Sequence, residues 1–168
     1  MPLNPEISRF IREHLDDNPD QLLWKKNEYP DDRVVVAVEQ IQARENIKEK
    51  LPSWYACQNI FYPSKLSTEQ CSSETTAPYK ARLTTGNSLC DLTGGLGVDT
   101  YFFSRQVDKV TYVERDKSYC EAARFNFLAL GATNIEVIHA DATTVANQVI
   151  ADTYYIDPAR RTTDNKRE

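Results

Sequence analysis

From Asn87 onward, hydrophobic residues fall in short runs separated by amphipathic segments, and each run closes on polar residues. Ser88 to Leu92 reads as a strand, Val98 to Gln106 as a helix and Lys109 to Glu114 as a second strand. Lys117 to Leu130 reads as a helix with Gly131 as its stop, followed by a third strand over Ile135 to His139. A short helix is expected over Ala142 to Ile150 and a fourth strand over Thr153 to Ile156. Strands and helices alternating at this spacing predict an α/β fold of parallel βαβ units with right-handed crossovers.

The first 60 residues carry the helical period instead. Asn4-Pro5 and Asn18-Pro19 each supply a cap and a first helical position. Ile7, Phe10, Ile11 and Leu15 then recur at helical spacing, and Leu22, Leu23 and Trp24 follow the second signal. Asp32 to Lys50 is expected as a longer helix with Val34, Val38 and Ile41 on one face, Ala37, Ile47 and Leu51 extending it, and Pro52 marking its end. The run VVVAV also fits a short strand, but EQIQARENIKEK continues it without a turn residue. The division expected is a helical region, 1–66, packed on an α/β part, 67–168.

Between them, Trp54, Tyr55, Phe61 and Tyr62 gather aromatic surface around Pro63, and the polar run STEQCSSETT follows. One reading is a surface loop. The other is a helical edge from Glu69 to Arg82 lying over the next motif, with Ser72, Ser73, Glu74 and Lys80 within reach of a ligand.

That motif, LCDLTGGLGVDT from Leu89 to Thr100, is an apolar run ending in Asp91, then Gly94, Gly95 and Gly97, then a helix. Strand, glycine turn and helix in this order suit a nucleotide-binding unit, because glycine lets backbone approach the ligand and the helix start offers unpaired N–H groups. Asp91 and Glu114 end the first two strands, Asp141 lies just past the third, and Asp157, before Pro158, ends the fourth. Ligands of open α/β sheets bind beyond the carboxyl ends of the strands, so these four carboxylates are expected to face one crevice. Glu114, 17 residues beyond Gly97, suits the two hydroxyls of a ribose. Asp141 suits an adenine amino group, and Asp157 is placed to touch whatever reacts. Asp116 is more simply a helix cap. Capping and solvation at strand ends is the bland alternative for all four acids.

Composition narrows the classes. The 168 residues, 40% hydrophobic and 27% charged, suit one soluble globular domain. No apolar run approaches a membrane span, and MPLNPEISRF lacks the order of a secretion signal, so a cytoplasmic location is expected. Cys57, Cys71, Cys90 and Cys120 form no CxxC pair and His14 and His139 stand alone, so no metal is expected. The net charge is −5, and residues 1–60 hold 8 basic against 11 acidic side chains, which makes that part no evident platform for nucleic acid. Arg160, Arg161, Lys166 and Arg167 make the last nine residues locally basic.

As an ordered set, these segments resemble the class I methyltransferases that use S-adenosylmethionine. DLTGGLG resembles their first motif, with Thr93 where many members carry another glycine; VTYVERD resembles the second, HADA the third and YYIDPAR the fourth. The DLTGGLG form is similar to ribosomal-RNA guanine-N2 methyltransferases and to bacterial methyltransferases with a THUMP-like domain, and SSETTAPYK after a helical region is similar to the latter. The resemblance covers roughly residues 70–161 and implies a Rossmann-like parallel sheet binding S-adenosylmethionine. It puts Asp91, Thr93, Gly95 and Gly97 near the methionine part, Glu114 on ribose, and Asp141 with Ala142 on adenine. Asp157, Pro158 and Arg160 would then serve methyl transfer to a nucleic-acid base, RNA favoured. The sequence departs from the amino-methylating pattern at Ala159 and Arg160, where a second proline and an aromatic residue are usual.

Such enzymes have seven strands, so the chain looks like the N-terminal portion of a longer enzyme, its fourth strand an exposed edge inviting self-association. A nicotinamide-dependent oxidoreductase is the competing enzyme class, although Thr100 stands where its fingerprint needs a third glycine. A non-catalytic module that keeps the fold is the other alternative.

Overall fold

A computed structural model describes residues 5–29 and 32–158. Among the described residues, six α-helices and a short 3-10 turn (Lys26–Glu28) precede the sheet: α1 (Pro5–Glu13), α2 (Pro19–Trp24), α3 (Arg33–Ile47), α4 (Pro52–Ala56), α5 (Lys65–Gln70) and α6 (Thr76–Ala81). Then β1 (Ser88–Asp91), α7 (Val98–Phe103), β2 (Lys109–Glu114), α8 (Lys117–Ala129), β3 (Ile135–His139), α9 (Ala142–Val145) and β4 (Thr153–Tyr155) alternate as expected.

The strands form one parallel sheet in the order β3-β2-β1-β4. The chain steps outward from β1 to β3 and then crosses back to β4, so helices laid down in the two directions cover opposite faces. Tyr101 of α7 and Cys120, Ala123 and Phe127 of α8 pack with Tyr112 on one face. On the other, Ala142 and Val145 of α9 and Val149 beyond it meet Cys90, Leu92 and Val113. The reversal opens a crevice between the carboxyl ends of β1 and β4, which the ladder extends by one bond, from Leu92 N–H to Tyr155 O at 3.0 Å.

VVVAV lies inside α3. Its β-branched residues disfavour helix slightly, but helical spacing puts Val34, Ala37, Val38 and Ile41 in a small core with Phe10 and Leu22, and tertiary burial outweighs that propensity. The second half of α3 belongs to another cluster, in which Ala43, Ile47, Leu51 and Trp54 pack with Tyr101, Tyr112 and Phe127. The helices ahead of the sheet and the sheet's own helices therefore share one core.

Several boundaries differ from expectation. Pro52 opens α4 at its first turn; α3 has already ended at Ile47, and Leu51 N–H closes back on Ile47 O at 2.7 Å. The helix after the glycine turn stops at Phe103, where Arg105 and Gln106 bond three residues back and tighten the chain toward β2. The helix at Ala142 lasts four residues; beyond it Gln148 N–H bonds three residues back to Val145 O at 2.8 Å and its side-chain amide donates to Thr144 O at 2.9 Å. Gly131 ends α8 as expected, with φ +72° and a bond from Ala132 N–H to Phe127 O at 2.9 Å.

The aromatic stretch is core rather than surface loop: Trp54 is fully buried edge-on to Tyr101, and Tyr62 is buried beside it. The irregular backbone there is satisfied by two buried amides. Gln40 donates to Tyr62 O at 2.8 Å and accepts from Tyr62 N–H at 3.0 Å. Asn126 does the same for Phe61, both at 2.8 Å. No helix among the described residues is long and apolar enough to cross a membrane.

Candidate functional site

The glycine turn bridges β1 and α7, and its shape follows from neighbouring side chains. At Gly94 a Cβ would lie 2.2 Å from the Tyr112 ring, whose hydroxyl donates to Gly95 O at 2.6 Å. Gly97 has φ +89°, and a Cβ there would lie 2.8 Å from Phe127. The turn is thus pressed onto the aromatic face of the sheet.

Asp91 is 1% exposed. Its Oδ1 accepts from Thr93 N–H at 3.0 Å and its Oδ2 from the Thr100 hydroxyl at 2.6 Å, tying the strand end to both the turn and α7. Burial pushes the carboxyl up to about 7, while the Thr100 and Thr93 donors pull the other way. Both oxygens of Asp91 are engaged within the chain, so it supports the turn from behind. Glu114 stands in front: Oε2 accepts from Gly95 N–H at 3.0 Å and Oε1 from Asp116 N–H at 2.9 Å. Each of these oxygens keeps a second lone pair for an incoming hydroxyl. Asp116 caps α8, accepting from Ser118 N–H at 2.7 Å.

Asp141 is exposed and caps α9 through Thr143 N–H at 2.8 Å and the Thr143 hydroxyl at 2.6 Å, which hold its carboxyl below the usual range. Ala142 follows it into the core cluster on that face. Thr93 accepts from Asp157 N–H at 2.7 Å, which pins the exit of β4 to the glycine turn. Asp157 and Pro158 are exposed at this exit. Arg160, with the rest of the basic tail, lies outside the described residues.

Of the residues read as reaching over the turn, two arrive. Lys80 on α6 places its ammonium 3.1 Å from Asp157 Oδ2, 3.0 Å from Asp99 Oδ2, 2.9 Å from Ser72 Oγ and 2.6 Å from the Tyr155 hydroxyl. Ser72 donates to Asp99 at 2.8 Å. Burial works against the Lys80 ammonium, but its bonds to Tyr155, Asp99 and Asp157 outweigh that and raise it above its ordinary value. Ser73 and Glu74 turn elsewhere: Ser73 accepts from Thr76 N–H at 3.1 Å, and Glu74 accepts from Ser53 N–H at 2.7 Å at the start of α4.

Asp99 and Tyr155 belong to the site with no role assigned to them from the sequence, and Thr100, read there only as a departure from the dinucleotide fingerprint, belongs to it through Asp91. A carboxylate two residues past Gly97, in the first turn of the helix, was the available signal for Asp99. Nothing in local spacing marks Tyr155.

No protein-family model and no curated protein matches the chain. Among solved structures it is similar to a crystal structure from Porphyromonas gingivalis W83 of a protein provisionally named a methyltransferase. The TM-score is 0.82 and the identity 29%, over 96% of this chain and 43% of that one. The chain therefore spans less than half the length of that protein. An rRNA methylase from Streptococcus thermophilus shares 21% identity over 45% of this chain and 46% of its own, at a TM-score of 0.40. A variant of MtNAS in complex with S-adenosylmethionine shares 14% identity over 92% and 73%, at a TM-score of 0.45. The last two superpose too poorly to carry an argument; the first bears out a Rossmann-like parallel sheet of the methyltransferase type.

Proposed function

We propose that this chain is the cofactor-binding portion of an S-adenosylmethionine-dependent methyltransferase whose acceptor is a nucleic-acid base, RNA in preference to DNA. The observation that carries the reading is the ring of carboxylates at the glycine turn. Asp99, Glu114 and Asp157 gather there in front of Asp91, which supports the turn from behind, and Lys80 is bonded to Asp99 and Asp157. A dinucleotide would bring its pyrophosphate to the turn and the start of the following helix. Here Gly95 N–H already meets Glu114, and Asp99 occupies the first turn of α7, so phosphate would face carboxylates. A cofactor carrying a sulfonium and an ammonium suits that field. Thr100 is fully buried and bonded to Asp91, so the position of the third dinucleotide glycine has a structural use of its own. Similarity to the Porphyromonas protein supports the same choice.

In this reading Glu114 accepts the ribose hydroxyls, Asp141 and Ala142 border the adenine, and Thr93 to Gly97 line the methionine part. Bound there, S-adenosylmethionine would supply an electrophilic methyl group whose bond to sulfur breaks as an acceptor lone pair forms the new one in line, leaving S-adenosylhomocysteine and releasing the acceptor's proton to solvent. That step depends on alignment more than on acid or base strength. Asp157, whose Oδ2 is held by Lys80 and Tyr155, offers its other oxygen to an amino N–H of the acceptor. Pro158 fixes its own φ and restricts Asp157 ahead of it, and Arg160, outside the described residues, would meet acceptor phosphate. The RNA choice rests on the likeness of DLTGGLG to guanine-N2 methyltransferases.

Calorimetric titration with S-adenosylhomocysteine tests the cofactor, with NADH as the competitor. Micromolar binding that Glu114→Ala loses is expected; binding of NADH alone, or of neither by folded protein, refutes the assignment.

A further inference from the structure

The cluster around Lys80 joins three distant parts of the chain: Ser72 and Lys80 from the segment before the sheet, Asp99 from α7, and Tyr155 and Asp157 from β4 and its exit. An ammonium has three protons, and Lys80 has four acceptors within 3.1 Å. The Tyr155 hydroxyl likewise lies 3.2 Å from both Asp99 Oδ2 and Asp157 Oδ2. The donors converge on one oxygen of each carboxylate. Among the described residues, Asp99 Oδ1 is buried without a partner and the bonds to the Asp157 carboxylate fall on Oδ2. The Lys80 and Asp99 side chains are 23% and 15% exposed, so that pair is largely shielded from solvent, whereas the Asp157 carboxylate that Lys80 also holds is 47% exposed.

We propose that Lys80 is a positioning residue for methyl transfer: from a helix outside the sheet it clamps Asp157 against Tyr155 and Asp99, leaving Asp157 Oδ1 aimed at the acceptor. The proposal rests on the methyltransferase reading above. Its geometric basis is that Asp157 is fixed at two points. The Lys80 ammonium holds the carboxylate, and Thr93 Oγ1 holds the backbone N–H at 2.7 Å. Removing the first leaves the carboxylate, on a chain exit, with only the longer 3.2 Å bond from the Tyr155 hydroxyl beside the backbone tether. Lys80 itself, kept protonated by its carboxylate and phenol partners, is a poor proton acceptor and so acts through Asp157. The helices ahead of the sheet thereby become a wall of the reaction site.

The test compares wild type, Lys80→Met, Lys80→Arg, Asp157→Asn and the Lys80→Met/Asp157→Asn double variant. Amide hydrogen exchange reads positioning without any acceptor: Lys80→Met should speed exchange at Asp157 N–H by about tenfold or more while β1 and β2 amides stay protected, and Lys80→Arg should restore part of the protection. Methyl transfer from tritiated S-adenosylmethionine to unmodified ribosomal RNA transcripts should fall on the order of 10²-fold in kcat for Lys80→Met, with KM for S-adenosylmethionine nearly unchanged. The double variant should be no slower than Asp157→Asn alone, because both changes act through one carboxylate. Unchanged exchange at Asp157, or additive losses in the double variant, overturns the proposal. A wild-type chain that binds no S-adenosylhomocysteine instead overturns the methyltransferase reading, and the exchange result still decides whether Lys80 holds Asp157.

Discussion

Replacing Asp91 with asparagine should change how the stability of this protein depends on pH. The Asp91 carboxyl is buried and pushed from 3.8 up to about 7, so the folded chain holds a proton that the unfolded chain has released above about pH 4. A group raised in this way contributes stability that is fully present below the unfolded value and is lost as pH rises through the folded one. The displacement of about three pH units corresponds to about 4 kcal/mol, of which about 3 kcal/mol is lost between about pH 5 and pH 8. The substituted amide has no proton to lose. Its carbonyl can still accept from Thr93 N–H, and its NH₂ can donate to Thr100 Oγ1, whose hydroxyl proton turns to a backbone carbonyl of the preceding turn. Urea denaturation of both proteins across that range, with m-values checked for constancy, isolates the effect, because other titrating groups cancel in the difference. The stability of wild type relative to Asp91→Asn should fall by about 3 kcal/mol from about pH 5 to pH 8. A flat difference, or one that rises with pH, would show that the Thr93 and Thr100 donors already hold Asp91 ionised, and would refute the burial argument.

Thr100→Val removes the donor at 2.6 Å from Asp91 and should cost about 1.5–3 kcal/mol at pH 8, with a smaller loss near pH 5, read by the same denaturation series. Equal losses at both values would separate Thr100 from the titration of Asp91. Gly97→Ala combines φ +89° with a Cβ placed 2.8 Å from Phe127, so about 2–4 kcal/mol of destabilisation is expected by urea midpoint. A loss under about 0.5 kcal/mol would mean that the turn relaxes around a side chain. The edge strand β4 carries exposed Tyr154, with Ile150 before it and Ile156 after it, and should drive concentration-dependent self-association. Light scattering that reports a monomer at every concentration would sink this.

The alternation from Asn87 onward was legible because strand and helix periods differ and because Gly131 and the caps at Asn18, Asp116 and Asp141 act locally. Four carboxylates at strand ends followed from the same ordering of elements. Their separate duties did not follow. Asp91 and Glu114 occupy equivalent places in the pattern, yet one is buried behind the turn and the other faces out, a difference set by where α7 packs. Lys80, Asp99 and Tyr155 meet across 19 to 75 residues of chain, beyond any local spacing rule. The stretch around Trp54 and Tyr62 looked like a loop because Pro63 and a polar run follow it. Its burial depends on Gln40 and Asn126, polar residues whose amides act as surrogate strand partners and carry no periodic signature.

That last pair of amides has a bearing on salt. Gln40 and Asn126 tie the backbone of Tyr62 and Phe61 between α3 and α8 through neutral hydrogen bonds shielded from solvent, whereas the cluster at Lys80 is ionic and partly open to solvent. Counterions screen charges near the surface and leave shielded dipoles nearly untouched. The tie between α3 and α8 should therefore be indifferent to ionic strength, while the seating of α6 and the electrostatic tuning of the crevice vary with it, so that one molecule keeps most of its architecture across conditions that reset the behaviour of its site.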